Sequence, residues 1–144
     1  MMFLNLSKED KNELYDLHEE GYVFDWSQFS SNKSKTVAKM VNGDIAGLVE
    51  FEQQPENLCN YMWLIEVSKN YRGTGIAGML LAYVAKDSLD AGFEGFVVFE
   101  TKTALFKYYQ EKYGAKPIGK RKLIFDTQAS LYLVNKYLGG MKNE

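Results

Sequence analysis

Between Asn70 and Val84 the chain reads NYRGTGIAGMLLAYV, and its glycines carry the clearest chemical signal. Gly73, Gly75 and Gly78 stand at G-x-G-x-x-G spacing directly behind Arg72. Beyond them Ile76, Met79, Leu80, Tyr83 and Val84 recur at helical spacing, which predicts a helix over 76–90 that stops at Ala91-Gly92. The first amides of such a helix are unpaired donors at the positive end of its dipole. Gly73 and Gly75 let backbone approach an anion without a Cβ in the way, and Arg72 adds charge. The chemistry this pattern offers is the holding of a diphosphate.

Other chemistry is ruled out by what the chain lacks. Cys59 is the only cysteine and His18 the only histidine, so neither an internal disulfide nor a Cys/His zinc site can be assembled. A hydrolase triad would have to hinge on His18, in the polar stretch LHEEG, and no G-x-S-x-G elbow is present. No G-K-[ST] follows the glycines, which excludes a Walker loop. With 17 Lys and Arg against 19 Asp and Glu, the net charge of −2 gives no general pull toward nucleic acid. The longest apolar runs fall far short of the ~20 residues that span a bilayer, and Met1 to Leu6 leads straight into polar SKED. A cytoplasmic protein with neither nucleic-acid nor membrane partner is expected, and its 144 residues suit a single domain over 1–144.

The positioning elements follow from pattern. MFLNL reads as a first strand, and Ser7 opens an S-x-x-D capping box ahead of a helix near 8–20. GYVFDWSQFSSNKS reads as a loop with a short helix. Asn42-Gly43 between TVAKMV and IAGLVEFE predicts a hairpin of strands at 36–41 and 45–53. YMWLIEV at 61–67 is a further strand ending where the glycine loop begins, and FEGFVVFE supplies one near 95–100, parallel to it across the helix. A second amphipathic helix fits 103–113, closed by Gly114. KPIGKRKLIF and SLYLVNKYL are expected as a closing antiparallel pair.

In a dinucleotide turn the first glycine follows its strand almost directly, whereas SKNYR intervenes here between Val67 and Gly73. That motif also usually opens its domain, and only 66 residues remain after Gly78. Arg72, Gly75 and Ala77 also spell R-x-x-G-x-A, and IEVSKNYRGTGIAGMLL resembles the central segment of the GNAT superfamily, the GCN5-related N-acetyltransferases. YYQEKYGAKPIGKRK is similar to that family's later helix-to-strand passage, about forty residues on.

The resemblance implies an α/β fold, a GNAT-like mixed, mostly antiparallel sheet with splayed central parallel strands, flanked by helices. It implies acetyl-CoA as cofactor and direct transfer of an acetyl group to the amine of a small molecule or peptide. The diphosphate would lie on Arg72, Gly73, Thr74, Gly75, Ile76 and Ala77, with Thr103 at the place of a frequent family asparagine. The pantetheine arm would pair with backbone near Ile65 to Val67, where an N–H polarises the thioester. A lysine-type amine has a pKa near ~10.4, so a base is required. Glu50, Glu52, Glu66 and Glu100 are the strand carboxylates available, and Glu66, beside the thioester position, is the first candidate for the base. Asp25 and Trp26 fall where the family builds its acceptor lip. The family's acid is a tyrosine four residues before the glycine, a place held here by Gln110, so either a displaced tyrosine, Tyr109 first and Tyr108 second, supplies the proton or solvent reprotonates the thiolate. An acyl-CoA-binding domain without catalysis and a small dinucleotide-binding protein are the alternative readings, and a monomer and a homodimer are both compatible with the sequence.

Overall fold

In the computed structural model, which describes residues 2–139, the chain opens with strand β1 (Phe3–Leu6) and a short helix α1 (Lys8–Asn12). Ser7 caps α1 with a reciprocal box: its Oγ accepts from Asp10 N, and Asp10 accepts from Ser7 N at 2.9 Å. Asn42 and Gly43 both take positive φ, 51° and 86°, the two-residue turn whose twist suits a hairpin. They join β2 (Lys35–Val41) to β3 (Asp44–Gln54). β4 (Cys59–Val67) pairs antiparallel with β3 on its far side. Helix α2 (Ile76–Asp90) then crosses to β5 (Val97–Glu100), which runs parallel to β4.

After α3 (Thr103–Tyr113) come β6 (Lys116–Pro117), β7 (Lys122–Phe125) and α4 (Thr127–Tyr137). The strands form one sheet in the order β1-β2-β3-β4-β5-β7-β6, in which β4 and β5 are the parallel pair. On one face α2 and α4 bury Leu80, Leu81, Val84, Leu133 and Val134 against Val49, Phe51, Phe99 and Phe125. On the other, Leu17, Tyr22 and Trp26 cover Ala38 and Leu48. Each such buried aliphatic or aromatic side chain contributes roughly 1.5–3 kcal/mol.

Three expectations need correction. The helix over 8–20 is α-helical only to Asn12 and continues as a 3-10 helix over Glu13–Glu20. Leu14 and Leu17, three apart, fit that tighter period equally well. Residues 22–34 contain no helix; they form a tethered loop. The closing antiparallel partner of KLIF is Lys116–Pro117, and SLYLVNKYL lies in α4. Asp126 decides this, because its carboxylate accepts from Ala129 N at 2.9 Å and starts a helix whose Ala129, Leu133, Val134 and Tyr137 face α2. Leu131 and Tyr132, which lend the segment its strand-like look, are left exposed.

Candidate active site

The site begins with an irregularity in β4. Glu50 pairs with Leu64 and Phe51 with Met62, so Trp63 has no partner in β3 and forms a bulge. Pairing with β5 also ends there, at Met62 opposite Phe99, and Trp63 to Val67 run on with no strand paired on that side among the described residues. Ser68 N donates to Ala46 O at 2.8 Å. From that bond and the register of Val67 with Gly47, the alternation of an antiparallel ladder turns the main-chain groups of Ile65 and Val67 away from β3. They face the side that β5 has left.

Beyond β4, Ser68 caps one 3-10 turn (Lys69–Tyr71), and the glycine loop follows. Gly73 and Gly75 take φ of 78° and 87°, and a Cβ at either would meet nothing within 4 Å. Gly75 is the N-cap of α2 and provides no side-chain cap. Arg72 and Thr74 are exposed; Thr74 Oγ1 donates to Tyr71 O, which braces the turn, and Arg72 has no ion-pair partner among the described residues. The Ile76 side chain enters the core and leaves its backbone to the loop, while Ala77 is half-buried. Gly78 is a packing residue, in contact with the ring of Tyr137.

Three of the candidate carboxylates hold the 22–34 loop. Glu66 accepts from Val23 N at 2.6 Å, Phe24 N at 3.1 Å and Trp26 Nε1 at 2.9 Å. Glu50, fully buried, accepts from Ser30 N, Ser30 Oγ and Ser34 Oγ. Glu52 accepts from Ser31 Oγ at 2.6 Å and Trp63 Nε1 at 2.7 Å, and those bonds, Ser31's first, hold its carboxyl below the usual range. Glu100 is exposed and meets only Tyr61 Oη, at 3.3 Å. Asp25 is turned onto Ser27, whose hydroxyl and amide lower its pKa, and Trp26 is buried. The residue that this segment sends to the site is Phe24.

Where β4 and β5 diverge lies a cleft of about 710 Å³. Ile65, Thr103 and Tyr109 line it, as do Phe24, Trp63, Glu100, Lys102, Leu105 and Arg121, most of which carried no signal in the sequence. Thr103 begins α3, whose N-cap Lys102 offers no side-chain bond. α3 is regular, yet Tyr109 faces the cleft: its ring packs on Phe99 at 5.1 Å. Burial, with Tyr108 beside it, pushes its pKa up to about 12. Gln110 turns back on its own helix, donating to Phe106 O at 3.3 Å. Tyr113 is buried against Tyr137, with its pKa raised by burial.

A family model described as Acetyltransferase (GNAT) family matches residues 1–115. The chain belongs to the GNAT family of acetyltransferases. Its fold is similar to that of the spermidine/spermine N-acetyltransferase SpeG from Vibrio cholerae (TM-score 0.67, 14% identity, 91% of this chain and 97% of that one). It is also similar to the ribosomal-protein-S18-alanine N-acetyltransferase from Escherichia coli (0.65, 13%, 85% and 90%). A third likeness is to a chain of the DNA-bound AtaT-AtaR complex (0.68, 14%, 92% and 99%). At these identities the likeness is one of fold. No curated protein sequence matches the chain significantly.

Proposed function

We propose that this chain is an acetyl-CoA-dependent N-acetyltransferase that transfers acetyl directly to an amine. The observation that carries the reading is the open edge of β4, with Ile65 and Val67 turned to it, running into a glycine loop and an uncapped helix start. The residues fit the cofactor: a Cβ on Gly73 or Gly75 would meet nothing within 4 Å, and the start of α2 has no side-chain cap on its first amides. Arg72, Gly73, Thr74, Gly75, Ile76 and Ala77 would hold the diphosphate, Ile65 and Val67 the amides of the pantetheine arm, and Thr103 would contact it from the start of α3. A doubly wound dinucleotide fold finds no support in a sheet with a single parallel pair.

Bound acetyl-CoA supplies an acetyl group activated as a thioester, which passes to the amine nitrogen as the carbon–sulfur bond breaks. The Val67 N–H, turned to the open edge, would stabilise charge developing on the carbonyl oxygen. The Tyr109 phenol lines the cleft and is protonated throughout the physiological range, and it would donate to the departing sulfur. Glu66, taken as the base from sequence alone, fits better as the residue that holds the cleft wall, since its oxygens already accept three hydrogen bonds. Glu100, free of such tethers and lining the cleft, is the better-placed carboxylate to take the amine's proton, directly or through water.

The test has two parts. Acetyl-CoA should raise the melting temperature while NADH does not, since a ligand of the folded state stabilises it by about 2.7 kcal/mol at a hundredfold excess over Kd. Free thiol should then appear only when a responsive amine is added. Stabilisation by NADH alone would overturn the reading, and stabilisation by acetyl-CoA without thiol release from any amine would leave a binding domain.

A further inference from the structure

We infer that the acceptor is a monoamine whose nitrogen sits a short distance from an aromatic or bulky apolar group, rather than a polyamine; this rests on the acetyltransferase reading above. Apolar side chains are left in solvent around the cleft: Phe24 is 39% exposed, Trp63 40% and Leu105 42%. The Trp63 ring lies 4.8 Å from that of Tyr61, and Tyr61 donates to Glu100. Tyr61 thus touches both an indole and the carboxylate that line the cleft, and such a pair can receive a single ammonium group by charge and by cation–π attraction. Phe24 belongs to a different segment and meets the Trp26 ring edge-on, at 6.4 Å. The apolar side of the cleft therefore comes from two separate walls, with room for an apolar group of the ligand.

The charge balance supports the same choice. Among the described residues Glu100 is the one acidic side chain lining the cleft, whereas Lys102 and Arg121 both line it and have no ion-pair partner. Glu50, Glu52 and Glu66 are spent on the loop. A second and third positive charge on the acceptor would find repulsion where a polyamine site needs carboxylates. Trp63 owes its position to the bulge in β4, and Phe24 owes its position to Glu66, so neither is a random surface aromatic.

The experiment measures thiol release from acetyl-CoA by the full chain with 2-phenylethylamine, tryptamine, a peptide beginning with Phe, spermidine and lysine amide. The expected result is kcat/KM at least tenfold higher for one of the first three than for the last two. A small arylalkylamine and an aromatic peptide terminus are told apart by which arm responds. Preference for spermidine or lysine amide would overturn the inference and leave the acetyltransferase reading intact. Trp63→Ala and Phe24→Ala should each raise KM for the preferred amine about tenfold with the melting shift induced by acetyl-CoA unchanged; an unchanged KM in both would also overturn it. If no amine turns over, the activity falls, and binding decides the inference. Saturable quenching of tryptophan fluorescence by 2-phenylethylamine in the presence of CoA, lost in Trp63→Ala and absent with spermidine, would uphold it, and no quenching would sink it.

Discussion

A Cβ placed on Gly78 would lie 2.2 Å from Cε1 of Tyr137. The last glycine of the G-x-G-x-x-G spacing thus serves the contact between α2 and α4, while the first two serve the loop. Gly78→Ala should push the tyrosine ring aside and cost about 1–3 kcal/mol, a melting-temperature drop of roughly 3–10 °C for a domain of this size. The shift on adding acetyl-CoA should survive. Combining it with Tyr137→Leu should recover part of the loss, which a double-mutant cycle in thermal unfolding would show.

Gly75 and Gly92 form a matched pair at the two ends of α2. Their φ values are 87° and 85°, and both have open space where a Cβ would stand. Any side chain at either therefore meets a similar backbone penalty, about 1–2 kcal/mol. Gly75→Asp should abolish stabilisation by CoA, and Gly92→Ala should keep it, although both melt earlier. Equal CoA shifts in the two variants would show that the loop is only a turn.

Tyr109→Phe tests the acid. It keeps the ring on Phe99 and removes the hydroxyl alone, so kcat should fall about 10²-fold or more, in the usual range for general acid catalysis, with KM for acetyl-CoA near its starting value. An unchanged kcat, with chemistry rate-limiting, would pass the role to Tyr108 or to water.

The same residue gives an alkaline signature. Its pKa rises from the ordinary 10.0 to about 12 on folding, so the protonated phenol is favoured in the folded state. The stability linked to it is complete below about pH 10 and is lost as the pH climbs toward 12. Urea midpoints measured across that window should fall less steeply in Tyr109→Phe than in the parent chain. Parallel curves would mean that the phenol is solvated.

Glu66→Ala should free the 23–26 segment and leave Trp26 Nε1 without its acceptor, a cost of about 1–3 kcal/mol. Because Phe24 goes with it, KM for the amine should rise more than KM for acetyl-CoA. Glu66→Gln keeps an acceptor oxygen for some of these donors and should be milder on both counts. A kcat collapse in Glu66→Gln at unchanged stability and KM would return the base to Glu66.

Local rules that act over a few residues were readable from the chain. The turn at Asn42-Gly43, the cap at Ser7, the helix that opens at Ile76 and the helix end at Gly114 each depend on φ preference or side-chain reach. What hid was decided across the sheet. The bulge at Trp63 reverses the side-chain alternation, so that Met62 faces α2 while Leu64 and Glu66 face the N-terminal segment. Read without it, Glu66 falls on the same face as Met62, and its tie to Trp26 has no basis. Asp126 was equally ambiguous, since DTQA suits a turn as well as a helix start, and only the packing of α4 on α2 separates them. Which tyrosine enters the cleft likewise depends on how α3 sits on Phe99, a contact no spacing rule encodes.

The 22–34 loop is fixed to the sheet at separate points by Glu66, Glu50 and Glu52, and none of the three belongs to the glycine loop or the helix it heads. The glycine loop and the 22–34 loop are thereby held by different sets of residues. Between the tethers, substitutions at positions such as Phe24 alter what the wall presents while the register of β3 and β4 stays put. On the proposed function, changes at Phe24 would alter which amine is taken while leaving the hold on acetyl-CoA unchanged.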